Sequence, residues 1–513
     1  FNINFHIFMS INTTENNLPP KSKHYDVIII GAGISGIGAG CHIKKLCPKK
    51  SFAILEGREN IGGTWDLFRY PGIRSDSDMH TMGFRFRPWK TANIIAEGSS
   101  ILNYLRETVE EYKLEQNILL NNWIKHASWC SSQAKWTVKI QEKNNVEINK
   151  LTCDFLWLCG GYYSYKKGYT PNFKGRESFE GQIIHPQEWP KNLNYNDKNV
   201  VVIGSGATAV TIVPSMAKKA SHVTMLQRSP TYYELAPYES NLEKSLQKFF
   251  GVRLSSFVIR WMYILIGSLL FSLSRKYPDK MKKRLINHAS NALGKDYAEK
   301  HFTPTYNPWD QRLCLIPDGD LFKAINSGKA SVVTDHIEKF TKKGIQLKSG
   351  KHLNADLIIT ATGLNLEVLN GIEIKVDDTL IDFSKTMSYK GVMFSDIPNL
   401  AYTFGYTNAS WTLKADLTSE YVSRLLNYMD KKDYSICCPH ADDSVKEGED
   451  WLDFSSGYIR RSIHKFPKQG SHAPWKNMQN YLKDIFVIRM SKIQDKALKF
   501  SPKKSVNSLQ EPL

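Results

Sequence analysis

Val27-Ile28-Ile29-Ile30-Gly31-Ala32-Gly33-Ile34-Ser35-Gly36 reads as an apolar strand that runs into a glycine-rich turn and opens a helix. Such a turn lets backbone approach a pyrophosphate, and the helix start turns its partial positive charge toward the phosphates. The pattern returns at Val200-Val201-Val202-Ile203-Gly204-Ser205-Gly206-Ala207-Thr208-Ala209, 173 residues further on. A single glycine turn is weak evidence, but two of this kind predict an α/β chain with two Rossmann-like dinucleotide-binding units. Two dinucleotides held face to face are how hydride passes from a nicotinamide to a flavin.

The two units end differently, and the difference sorts the cofactors. In the first, a helix to about residue 47 leads to a strand over 51–56 that closes on Glu56, 20 residues after Gly36. A carboxylate there accepts hydrogen bonds from both ribose hydroxyls of an adenosine and repels a 2′-phosphate, which suits FAD. The alternative is a solvated glutamate at a strand end. In the second, the strand His222–Gln227 is followed by Arg228 and Ser229. A guanidinium pairs bidentately with phosphate, which favours NADPH, against the plainer reading of a surface arginine. Gly31, Gly33, Ser35 and Gly36 are the candidate phosphate contacts of the first unit, and Gly204, Gly206, Ala207 and Thr208 those of the second.

Each unit closes alike. Asp154-Phe-Leu-Trp-Leu-Cys-Gly160-Gly161 and Asp356-Leu-Ile-Ile-Thr-Ala-Thr362-Gly363 are buried-type strands ending in small residues, with Thr362 and Gly363 added to the cofactor contacts. Hairpin-like stretches precede both, at 136–152 and 337–353, so a parallel sheet with a β-meander against it fits each half. The resulting division is a disordered segment 1–24, an FAD-binding domain 25–163 completed by 370–501, and an NADPH-binding domain 164–230 completed by 312–369. Residues 231–311 show no strand alternation and read as a helical insert, and 502–513 as a flexible tail.

At 513 residues, with 42% apolar and 12% aromatic residues, the chain is a multi-domain, core-forming protein. The net charge of +18 admits anionic cofactors, an anionic membrane surface or nucleic acid. Lysine and arginine are spread along the chain without a nucleic-acid motif, so nucleic acid comes last. The eight cysteines contain no Cys-x-x-Cys and no metal-ligand spacing, which predicts reduced thiols, no metal and a cytoplasmic protein. No segment reaches the roughly 18 or more apolar residues of a membrane span. The nearest, Trp261 to Ser274, is flanked by Arg260 and by a basic stretch reaching Arg284. It reads first as a buried helix, and second as an interfacial helix that would make 261–284 a peripheral membrane contact.

Two further motifs carry the chemistry. Phe179-x-Gly181-x-x-x-His185-x-x-x-Trp189-Pro190 lies just before the second glycine strand, and Gly62-Gly63-Thr64-Trp65-Asp66-Leu67-Phe68-Arg69-Tyr70-Pro71-Gly72-Ile73-Arg74-Ser75-Asp76 follows Glu56. Together they resemble the signatures of the type I Baeyer–Villiger monooxygenases, NADPH-dependent flavoproteins that insert oxygen beside a ketone. The Trp-Pro ending separates this pattern from that of the related amine- and sulfide-oxidising flavin monooxygenases. His301-Phe-Thr-Pro-Thr-Tyr-Asn-Pro-Trp-Asp-Gln311-Arg312 and Tyr406-Thr-Asn-Ala-Ser-Trp411-Thr-Leu-Lys-Ala-Asp416 look closest to the branch that activates thioamide prodrugs such as ethionamide.

The resemblance implies O₂ as co-substrate, a flavin C4a-peroxide, and ketone, sulfide or thioamide substrates. It places the cation that such chemistry needs on Arg312 and an orienting carboxylate on Asp76. It places Gly63, Thr64 and Trp65 near the flavin, although Trp65 also reads as a plain core aromatic. His185 is assigned to a hinge between domains rather than to proton transfer. Many family members carry lysine just before the catalytic arginine, and here that residue is Gln311, so discrimination against NADH leans on Arg228 and Ser229.

Overall fold

The computed structural model describes residues 23–142, 148–442, 444–451 and 456–502. The expectations for 1–24 and 502–513 fall almost wholly outside these residues, and His24 already belongs to the first strand, His24–Ile30.

The apolar runs fold as strands covered on both faces, as their unbroken hydrophobicity requires. In the strand His24–Ile30, Val27 and Ile29 point into one core and Ile28 and Ile30 into another. The strand lies between Phe52–Leu55 and Ile148–Leu158, parallel to both, with Ile28 opposite Ala53 and Leu156. Beyond Ile148–Leu158 the order turns antiparallel through Lys135–Glu142 to Asn122–Cys130. Strands from the far end of the chain complete this sheet: Glu373–Val376 pairs with Asn122–Cys130, and Leu400–Tyr402 with Ile148–Leu158. The helices Ile34–Leu46, Gly98–Glu111 and Trp411–Lys431 cover the face opposite the meander.

The second unit repeats the scheme. Five parallel strands run in the order Ala330–Thr334, His222–Gln227, Asn199–Ile203, Leu357–Thr360, Gln182–Ile184. Val200 and Val202 face the helical layer, while Val201 and Ile203 face a three-stranded antiparallel sheet built from 337–354. The chain passes between the units twice, and the two passages run against each other. Ser164 N–H donates to the Asn365 carbonyl at 2.7 Å, and Tyr169 N–H to the Gly363 carbonyl at 3.0 Å.

Three expectations need correction. The insert is not wholly helical, because Tyr233–Ala236 pairs in parallel with Cys314–Pro317. Four residues are too few to display a period, and Glu234 interrupts them to meet Arg284. The segment 261–274 is not a buried helix: it belongs to the helix Asn241–Lys276, whose Leu265, Ile266, Leu269 and Leu273 are exposed. That helix also contains an 18-residue window of mean hydropathy 1.7, long and apolar enough to cross a membrane by length and composition. Arg260 interrupts the apolar residues of this helix, and it is buried against protein.

Candidate active site

The glycines of the two turns separate into two kinds. Gly31 has φ +102°, and a Cβ there would stand 2.8 Å from the Cys159 carbonyl oxygen. At Gly36 it would stand 1.8 Å from the Gly31 carbonyl oxygen, and at Gly204 (φ +132°) 2.3 Å from that of Ala361. Packing and backbone require glycine at these places. Gly33 and Gly206 differ, with φ −80° and −79°. A Cβ on Gly33 would make only ordinary contact with Gly63 at 3.6 Å, and one on Gly206 would meet none of the described residues within 4 Å. Both precede helices, Ile34–Leu46 and Ala207–Met216, whose first turns have no side-chain cap. Open space beside unshielded helix starts is a cradle for phosphate.

A single cavity of about 340 Å³ joins the first cradle to the second helix. Gly31, Gly33 and Ser35 line it on one side, and Ala207 and Thr208 on the other. At one end Glu56 is buried and accepts from Ala32 N–H at 2.8 Å and Arg58 N–H at 3.0 Å. Burial raises its pKa, against the pull of those two donors. The adjacent wall carries Gly63, Thr64 and Trp65, the last partly buried against the helical core. Thr64 shares a short hydrogen bond with Tyr163.

At the other end Arg312 Nη2 lies 3.0 Å from Asp76 Oδ2, both lining the cavity. They are 236 residues apart in the sequence: Asp76 follows the glycine–tryptophan run, and Arg312 precedes the strand Cys314–Pro317. Burial opposes the guanidinium's charge, but Asp76 together with Tyr162, Tyr458 and Cys314 outweighs it and holds the pKa above its ordinary value. The arrangement is a permanent cation, oriented by a carboxylate, facing a half-open cavity.

Some of the predicted residues lie elsewhere. Arg228 and Ser229 are exposed beyond the second turn, outside the cavity, with Ser205 Oγ donating to the Ser229 carbonyl at 3.4 Å. Thr362 and Gly363 also fall outside it, in the second passage between the units. His185 joins them there: its Nε2 donates to the Gly363 carbonyl at 3.1 Å, while its Nδ1 accepts from Gln187 N–H at 3.2 Å. This fixes the tautomer, and burial lowers the ring's pKa, so His185 is neutral at pH 7. Gln187 in turn donates to the Ser164 carbonyl, on the other passage, at 2.8 Å. Phe179 is buried under the three-stranded sheet, and a Cβ on Gly181 would stand 2.5 Å from the Asp356 carbonyl oxygen. Trp189 packs against the helical core of the second unit, and Pro190 is exposed.

Sequence reasoning missed three contributors. Trp411 stacks on Tyr162 with ring centres 5.3 Å apart, and its indole N–H donates to Ser35 Oγ at 2.8 Å. Trp123 covers Gly57 so closely that a Cβ there would lie 2.0 Å from its ring. Asn370 donates to the Gly160 carbonyl at 2.6 Å and lines the cavity. Trp411 lay inside a quoted motif and could have been found. Trp123 and Asn370 stand in stretches whose pattern is that of an ordinary strand and turn.

Comparison with known proteins bears on the family and the fold. The family described as pyridine nucleotide-disulphide oxidoreductase matches residues 28–257. FAD-containing monooxygenase EthA of Mycobacterium tuberculosis (strain ATCC 25618 / H37Rv) is 51% identical over 482 residues, which cover 94% of this chain and 98% of that protein. Probable FAD-binding monooxygenase AlmA of Acinetobacter baylyi (strain ATCC 33305 / BD413 / ADP1) is 49% identical over 94% of this chain and 97% of its own. Among solved structures, an oxidized steroid monooxygenase bound to NADP superposes with a TM-score of 0.75 at 19% identity, covering 93% of this chain and all of that one. Cyclohexanone monooxygenase in its loose conformation gives 0.70 at 18% identity, covering 93% and 100%. These structures share the fold of two dinucleotide-binding units.

Proposed function

The chain belongs to the FAD-containing monooxygenases, and on that premise we propose that it is an NADPH-dependent enzyme of Baeyer–Villiger type. It inserts one oxygen atom of O₂ beside a ketone carbonyl to give an ester or lactone, and oxidises sulfides or thioamides at the same cavity. The observation that carries this reading is the Arg312–Asp76 pair, 3.0 Å apart, facing the space between two uncapped helix starts.

The residues present fit both cofactors. For FAD, the open helix start at Gly33 and Ile34 suits the pyrophosphate, and the Glu56 carboxylate suits the ribose. For NADPH, the start at Gly206 suits the pyrophosphate and Arg228 the 2′-phosphate. Bound FAD supplies the redox centre at which electrons from NADPH activate O₂. Arg312 holds the negative charge that develops on oxygen, and Asp76 fixes the plane of its guanidinium. Tyr162 and Trp411, stacked beside the cavity, exclude water from it. His185 and Gln187 fasten the second unit to the two passages, which couples nucleotide binding to the relative position of the units.

A panel of linear, cyclic and aryl ketones with thioethers and thioamides, followed by NADPH loss and product mass, tests the proposal. Ester from at least one ketone is the expected result. Sulfoxide without any ester would replace it with an N- or S-oxygenating monooxygenase that lacks ketone activity.

A further inference from the structure

The helix Asn241–Lys276 is built inside out. The residues it buries are mostly polar: Ser255, Ser256, Arg260 and Ser274 beside Ile259 and Ile264. Arg260 donates to the His80 and Gly83 carbonyls at 2.8 and 2.7 Å. Glu243 is buried against His80 at 2.5 Å and accepts from the Tyr263 hydroxyl at 2.9 Å. These contacts fasten the helix lengthwise to the protein. Its outward side is apolar, with Leu254, Phe257, Val258, Leu265, Leu269 and Leu273 exposed at helical spacing. Phe249 is 78% exposed and Phe250 59%, at the bend that Gly251 makes with φ +70°. A helix that faces water carries the opposite pattern, and an apolar face of this length marks a contact surface.

We infer that this face docks on an anionic lipid bilayer and lies within its interface. Charge selects the occupant. Arg253, Lys276, Lys280 and Lys283 are exposed along the helix and just beyond it, on a chain of net charge +18. Anionic headgroups complement such flanks while the acyl boundary takes the phenylalanines and leucines. A second copy of the chain would instead bring like charges together. The helix lies on the bilayer rather than crossing it, because Glu243 and Arg260 keep its other side in protein. Phe271 packs on Trp309 at 5.4 Å, and Arg275 pairs with Asp310 at 3.0 Å, so docking sets the loop that leads to Arg312 close to the membrane.

The test is sedimentation of the full-length holoenzyme with vesicles of phosphatidylcholine alone or mixed with phosphatidylglycerol. The wild type pellets with the anionic vesicles and far less with neutral ones. The triple variant Phe257→Glu, Leu265→Glu, Leu269→Glu and the pair Lys280→Glu, Lys283→Glu each keep FAD content and soluble-ketone turnover. Each loses vesicle affinity, by roughly tenfold or more for the charge pair. A wild type that stays in the supernatant with every vesicle, or a triple variant that pellets like it, would overturn the inference. A vesicle-free dimer that the triple variant turns into monomers, without lipid binding, would assign the face to a second copy.

Discussion

Arg312 illustrates what a sequence discloses at the scale of one residue. An arginine in a polar loop is usually structural, and only the motif around it singled it out. The structure adds the contact with the expected partner, Asp76 at 3.0 Å, and the cavity that both face. Arg312→Ala is expected to bind FAD and accept electrons from NADPH, yet to lose product formation by at least about 10²-fold, as removal of a charge-stabilising donor does. Stopped-flow reduction and product yield read the two halves separately. His301 gives a pH prediction. It is buried, and burial, then Lys300 and Lys351, lower its pKa to about 4. The unfolded chain takes up that proton below about pH 6.5 while the folded one does not, so stability is present above that pH and falls toward pH 4, by up to ~3 kcal/mol. Urea midpoints at pH 7 and 4.5 measure the fall, and His301→Gln should reduce it.

At the scale of elements, strand, glycine turn and helix were legible in both units because buried parallel strands read as continuous apolar runs. The letter G did not say which glycines serve the fold and which the ligand. Gly204→Ala, with φ +132° and a carbonyl oxygen 2.3 Å from the new Cβ, is expected to cost at least about 1–2 kcal/mol of stability. Gly206→Val meets no such obstacle, so its Tm should stay while KM for NADPH rises. Thermal melts beside steady-state kinetics separate the two cases. Arg228→Ala should raise KM for NADPH by roughly 10- to 100-fold, the loss of a charge-assisted contact worth about 1.5–3 kcal/mol, and leave NADH nearly unaffected. Equal effects on both nucleotides would place the 2′-phosphate elsewhere. The strand Tyr233–Ala236 was not legible, and the outward face of the helix Asn241–Lys276 entered only as the second reading of 261–284. The first is too short to show a period, and the second reverses the rule by which amphipathic helices are read.

Across the whole molecule, one cavity forms because the two units face each other, and the two passages between them set how they face. His185 binds the Gly363 carbonyl on one passage and Gln187 the Ser164 carbonyl on the other. The sequence showed the motif but not this arrangement, since residues 164, 185 and 363 meet only through the tertiary fold. His185→Ala is expected to keep its FAD and still oxidise NADPH, but to release more hydrogen peroxide per turnover because the cavity closes less firmly. An unchanged ratio of product to NADPH would remove the hinge role.

The most direct measurement supplies the holoenzyme with NADPH, a simple linear ketone and ¹⁸O₂, and weighs the product. An ester carrying one ¹⁸O atom, formed in step with NADPH consumed, is the expected result. NADPH consumed with only labelled hydrogen peroxide and unchanged ketone, across every ketone offered, would contradict it.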